Sequence, residues 1–107
     1  MTKDYTKYID YIKATLDDRT KLEAFAEELA ELQQATLKLI RAKGLSNNLT
    51  PKTEDEVAEN FAEEISDVFM CMLVMLKCND LESIVKLVKE CPKWERWALR
   101  LGYQENN

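Results

Sequence analysis

Histidine is absent from this chain, and glycine and proline occur only twice each in 107 residues. Without an imidazole the protein cannot complete a histidine-ligated zinc or haem centre, nor the Glu-x-x-His pairs on which carboxylate-bridged di-iron bundles rest. The three cysteines, Cys71, Cys78 and Cys91, are odd in number and show no CxxC spacing, so they read as reduced core thiols. Scarce Gly and Pro leave little material for hairpin turns, whereas Leu, Ala, Glu and Lys abound, and the composition points to an all-α fold. A basic stripe is missing too, and the net charge of -5 argues against a nucleic-acid polymer as partner. The start, Met-Thr-Lys-Asp-Tyr, has no apolar signal-peptide stretch, and the longest apolar run, Val68 to Leu76, is too short to span a bilayer. The expectation is therefore a single helical domain over residues 1–107, with no membrane association and a cytoplasmic location.

Helical spacing organises the chain into five segments. Tyr5, Tyr8, Ile9, Ile12 and Leu16 predict a first helix over Lys3 to Leu16, ended by Asp17-Asp18. Thr20-Lys-Leu-Glu23 has the form of a capping box, opening a second helix that reaches about Ala42, with Gly44 as its left-handed cap. The stretch from Gly44 to Thr53, with Asn-Asn and Thr-Pro pairs, reads as a turn-rich segment and a candidate lid. A second capping box, Thr53-Glu-Asp-Glu56, opens a third helix running to about Lys77, and Asn79-Asp80 interrupts the chain after it. Leu81, Ile84, Val85 and Val88 mark a short fourth helix, and Pro92 suits the first residue of a last one carrying Trp94, Trp97, Leu99 and Leu101 before Gly102. This pattern predicts a four-helix-type bundle. The third helix is apolar on every side from Val68 onward, which predicts cover all round, partly from another subunit.

Two acidic clusters carry the chemistry. Glu27-Glu28-Leu-Ala-Glu31 lies on the second predicted helix and Glu63-Glu64-Ile-Ser-Asp67 on the third. Residues three apart on a helix share a face, so Glu28 with Glu31 and Glu64 with Asp67 can meet between the two helices. An acidic helix face is usually just solvated, but here the same faces carry Ala24, Leu32, Ala35 and Leu39 on one helix and Cys71, Val74 and Cys78 on the other. Carboxylates crowded beside apolar surface repel one another and lose hydration, so a cation is expected among them. Hard oxygen donors favour Mg²⁺, with Mn²⁺ as a substitute.

With their order and separation, EExxE followed by Glu64-x-x-Asp67 on the next long helix, these residues resemble the signature of the MazG-like all-α nucleoside triphosphate pyrophosphohydrolases. The similarity covers roughly Leu22 to Leu76. It implies a homodimer or homotetramer that hydrolyses a nucleoside triphosphate to the monophosphate and pyrophosphate. Glu28, Glu31, Glu64 and Asp67 would be the metal ligands, and Glu27 a further ligand or the base that activates water. The related phosphoribosyl-ATP pyrophosphohydrolases usually carry a His one turn beyond the aspartate. Cys71 stands there in this chain, which disfavours that branch and makes Cys71 a candidate for contact with the nucleotide.

Cleavage at the α-phosphorus needs an activated water and neutralised phosphate oxygens. Lys93, Arg96 and Arg100, at three- and four-residue spacing, form one basic side that could reach the phosphates, although a solvated helix face has the same pattern. Trp94 and Trp97 are read as core or interface, Met70, Met72 and Met75 as core filler, and a tyrosine among Tyr5, Tyr8 and Tyr11 could reach a neighbouring subunit's pocket. The rival reading is a non-enzymatic helical interaction module whose acidic clusters are surface decoration.

Overall fold

A computed structural model describes residues 4–48, 52–76 and 81–105. Among these described residues there are five helices: α1 (Thr6–Thr15), α2 (Asp18–Ala42), α3 (Glu54–Met75), α4 (Leu81–Lys89) and α5 (Lys93–Arg100). No strand occurs among the described residues, and none of their helices is long and apolar enough to cross a membrane. Lys3, Lys77, Cys78, the Asn79-Asp80 break and the middle of the candidate lid, residues 49–51, lie outside the described residues.

The helix ends follow from a few polar side chains. At α2 the expected capping box is not used: Asp17 is the N-cap, its carboxylate accepting from the Thr20 amide at 2.8 Å. Glu23, assigned to that box from the sequence, instead accepts from Arg19 Nε at 2.8 Å on the exposed surface. An aspartate at the cap takes up a free amide and adds negative charge where the helix dipole is positive, so Asp17 displaces a threonine three residues later. Thr53 caps α3 as expected, accepting from the Glu56 amide at 3.2 Å. Both glycines terminate helices. Gly44 at φ 74° and Gly102 at φ 99° lie in the left-handed region, and the amides of Leu45 and Tyr103 reach back to the carbonyls of Ile40 and Ala98. Pro92 stands one residue earlier than expected, as the N-cap of α5.

The packed body is α2 against α3, with α1 laid on α3. Lys43 meets Glu54 at 2.7 Å near the connection, while Glu28 and Asp67 come together 13 to 15 residues further along each helix, so α2 and α3 run antiparallel. Ala35 (1 % exposed) on α2 and Val57 (2 %) and Val68 on α3 are their buried positions. Lys13 of α1 donates to the Leu76 carbonyl at 2.7 Å, satisfying a free acceptor at the end of α3.

Among the described residues α4 and α5 form no extensive interface with α2 or α3. They are joined by the Trp94 indole, which donates to the Val88 carbonyl, and Trp94 stacks on Trp97 with ring centroids 5.8 Å apart. Met70, expected as core filler, is exposed, and Trp94 and Trp97, read as core or interface, are not in the core of the chain. Nor is α3 covered all round: Phe69 and Met70 (62 %) face outward. The radius of gyration, 17.9 Å, exceeds the roughly 13 Å of a compact chain of this length.

The tight contact at Ala35 sets a stability test. Ala35→Leu forces three extra carbons into a filled position and is expected to cost about 1–3 kcal/mol in urea unfolding. Asp17→Ala should cost about 1 kcal/mol by loss of the cap. Unchanged urea midpoints for both variants would contradict this packing.

Candidate metal centre

Glu28 sits midway along α2, and Glu64 and Asp67 sit one turn apart on α3. The antiparallel pairing brings one carboxylate oxygen from each of the three to within 4.8 Å of the others. All three side chains are half-buried. Their neighbours explain why: Glu28 shares its face with Ala24 and Ala35, small residues that let the helices approach, and Asp67 adjoins the buried Val68.

The electrostatics are those of an unbalanced site. Glu28 Oε2 and Glu64 Oε2 are buried with no hydrogen-bond donor in reach. Loss of hydration raises the pKa of both carboxyls above the ordinary 4.5, and the neighbouring charges of Glu31 and Asp67 raise them further. Glu31 is itself exposed and does not join the group of three, but it borders both glutamates. Glu27 is exposed and outside the group. No described lysine or arginine forms an ion pair with the group; the ion pairs found among the described residues, Arg19–Glu23 and Lys43–Glu54, lie elsewhere.

Three oxygens at this spacing suit a hard divalent cation. Opposite corners of an oxygen shell of about 2.1 Å radius are about 4.2 Å apart, so the three could close on Mg²⁺ with small side-chain rotations. The orphaned Oε2 atoms of Glu28 and Glu64 are the donors such an ion would satisfy.

Cys71 lies one turn beyond Asp67. Burial first, then the charges of Glu28 and Asp67, push its pKa up, so it presents a neutral thiol at neutral pH. It lines a cleft of about 170 Å³ with Ile12, Leu16, Lys21, Ala24, Met70 and Val74. Lys21 was not singled out from the sequence. Its spacing of seven from Glu28, two turns along the same face, was the available signal. Lys93, Arg96 and Arg100 do gather on one side of α5, where they and Trp97 line a groove of about 380 Å³. Among the described residues that helix has no extensive interface with α2 or α3, and its basic side forms no ion pair with the carboxylates. No family model, curated protein or solved structure matches the chain.

The raised glutamates fix the sign of a pH effect. Above their folded-state pKa both are ionised and the native state carries the full repulsion; as pH falls towards 4.5 the native state takes up protons first, and stability rises. The metal-free protein should therefore melt at a higher temperature near pH 5 than at pH 7, and Glu64→Gln should reduce that gain. Below the ordinary aspartate value of 3.8 the trend reverses, because Asp17, whose pKa its bonds to Thr20 lower, loses its capping charge. A melting temperature that falls steadily from pH 7 to pH 5 would contradict the crowding of these carboxylates.

Proposed function

We propose that this chain is a Mg²⁺-dependent nucleoside triphosphate pyrophosphohydrolase of the MazG-like kind, a cytoplasmic homodimer or homotetramer in which the helical bundle closes between subunits. The observation that carries the reading is the meeting of Glu28, Glu64 and Asp67 around buried, unpartnered oxygens. A solvated acidic face would leave those oxygens in water and their pKa values where they ordinarily lie.

In this reading Glu28, Glu64 and Asp67 hold the cation, and Glu31 stands beside them to complete the cage. A bound cation supplies charge neutralisation on the phosphate oxygens and a lowered pKa for a nearby water. Glu27, free in solvent next to Glu28, takes the proton from the attacking water. The water oxygen bonds to the α-phosphorus as the bond to the bridging oxygen breaks, giving nucleoside monophosphate and pyrophosphate. Lys21 and Cys71 wall the adjoining cleft, the first as a cation for phosphate and the second as an uncharged surface for the nucleoside. Mn²⁺ substitutes for Mg²⁺ because it takes the same oxygen donors.

The rival interaction module is favoured by one observation, the extent of apolar surface exposed on α4 and α5, including Trp94, Trp97 and Leu101 (79 %). Metal binding separates the readings. A cation bound only by the native state at 100 times its Kd adds about 2.7 kcal/mol of stability, and a decorative cluster adds none.

The reaction is tested by incubating the protein with a panel of nucleoside triphosphates and Mg²⁺. Monophosphate and pyrophosphate are expected in equal amounts, and diphosphate with orthophosphate as main products would overturn the assignment. Glu64→Gln and Asp67→Asn should each lower activity by more than the roughly 10- to 100-fold seen when only a ligand's outer partner is lost. Glu59→Gln, an exposed change on the same helix, should leave activity as it was.

A further inference from the structure

Both tryptophans of this chain stand on its last helix, and both are about half exposed. With Leu87, Val88 and Cys91 they line a single pocket of about 420 Å³, so α4 and α5 present one continuous apolar surface. Much of it is in water. Leu87 is 68 % exposed, and Leu101, at the end of α5, stands out further still.

The border of this surface decides what can cover it. Successive residues of a helix turn by about 100°, so Trp94, Trp97 and Leu101 fall within about 60° of one another, with Lys93, Arg96 and Arg100 as the adjoining stripe. Lys93 and Trp97 line the apolar pocket and also the groove of about 380 Å³ that Arg96 and Arg100 complete. The apolar and cationic surfaces are therefore continuous, with an indole at the seam. Glu95 lies about 100° or more round α5 from each of the three apolar residues. On α4, Glu82 and Glu90 line a separate pocket with Val85, Lys86 and Lys89, where the charges of the two signs balance. Between Leu81 and Leu101 five cations stand against three carboxylates, whereas the rest of the chain has ten against seventeen. The α4–α5 pair is the positive pole of an acidic protein.

An aromatic and aliphatic face edged by cations fits an anionic lipid surface. Nucleobases also stack on indoles, but Trp94 and Trp97 stack on each other, 8° from parallel, and the rest of their pocket is largely aliphatic. A protein partner would have to take three cations without ion pairs out of water, whereas lipid headgroups leave them wet. The Trp94 indole already donates to the Val88 carbonyl, so it can enter an apolar layer with no hydrogen bond unmade. Tryptophan at the level of the headgroups, with Lys and Arg stems laid along apolar surface, is how amphipathic helices lie on a bilayer. Nor does the net charge forbid it. Exposed charges are screened beyond about 8 Å at physiological salt, so the cations against the lipid count for more than distant carboxylates.

We infer that the α4–α5 face is a peripheral docking surface for an anionic phospholipid bilayer. Trp94, Trp97, Leu101 and Leu87 enter the boundary between headgroups and acyl chains, and Lys93, Arg96 and Arg100 meet the lipid phosphates. None of the described helices is long and apolar enough to cross a bilayer, and lying on one does not require it. The inference departs from the absence of membrane association expected from residue order, because that expectation concerned spanning runs and signal segments. It does not rest on the pyrophosphohydrolase reading.

Because the chain has no other tryptophan, tryptophan emission reports on this face alone. The protein is titrated with vesicles of phosphatidylcholine containing about 30 % phosphatidylserine, and with vesicles of phosphatidylcholine only. The anionic vesicles are expected to shift the emission to the blue, and lipids labelled about 5–10 Å below the headgroups to quench it. At about fivefold for each cation beside the surface, binding to them should be roughly 100-fold tighter than to neutral vesicles, and Arg96→Ala/Arg100→Ala should remove about 25-fold of that. Leu87→Ser should weaken binding to both. Emission that anionic vesicles leave unmoved, or that both vesicles shift equally, overturns the inference. Emission already shifted to the blue without lipid also overturns it, since another protein chain would then cover the indoles. An equal shift with oligothymidylate would assign the face to a nucleic-acid strand, and a shift with glycerophosphoserine to a soluble phosphate, and either result overturns the bilayer. No step of this test needs catalysis, so it stands or falls apart from the enzymatic reading.

Discussion

Like charge crowded between α2 and α3, with one oxygen of Glu28 and one of Glu64 shut off from water, is the constraint from which the rest of this protein can be understood. Glu28, Glu64 and Asp67 gather within 4.8 Å where the helices cross small residues, and Glu31 adds a fourth negative charge at the rim. No described lysine or arginine forms an ion pair with them. Keeping these anions together costs the chain part of its folding stability.

The surrounding architecture serves that alignment. Asp17 and Thr53 fix where α2 and α3 begin, and Gly44 lets the chain leave α2 in a left-handed turn before it returns. The register between the two helices depends on these ends. A shift of one residue would rotate Glu28 by about 100° and carry it out of the group. Lys13, bound to the last carbonyl of α3, ties α1 to the same pair and leaves the cleft between α1 and α3 open next to Cys71.

The same chain is unfinished elsewhere. Four apolar residues are buried among the described ones, Ala35, Val57, Val68 and Ile84, while Trp97, Leu101 and Met70 stand in solvent. A sequence with 46 % hydrophobic residues has enough apolar material for a larger core than this. The unmatched faces lie beside the carboxylates on α3 and beside the cations on α5.

Helical periodicity, the Thr53 cap, the two terminating glycines and the pairing of Glu28 with Glu64 and Asp67 could all be read from residue order. The first three depend on contacts within one helix, and the last on the period of 3.6 that puts Glu64 and Asp67 on one face, although their distance to Glu28 is set by the packing of α2 on α3. The choice of Asp17 over Thr20 as cap was not so readable, because two good capping residues three apart compete and the path of the preceding helix decides between them. Nor did spacing reveal that Glu31 would stay at the rim, that Lys21 would enter the Cys71 cleft, or that Lys93, Arg96 and Arg100 would stand apart from the carboxylates of their own chain. Those are distances between helices. Only tertiary structure sets them, because the angle and depth at which two helices pack depend on how all their facing side chains fit together at once.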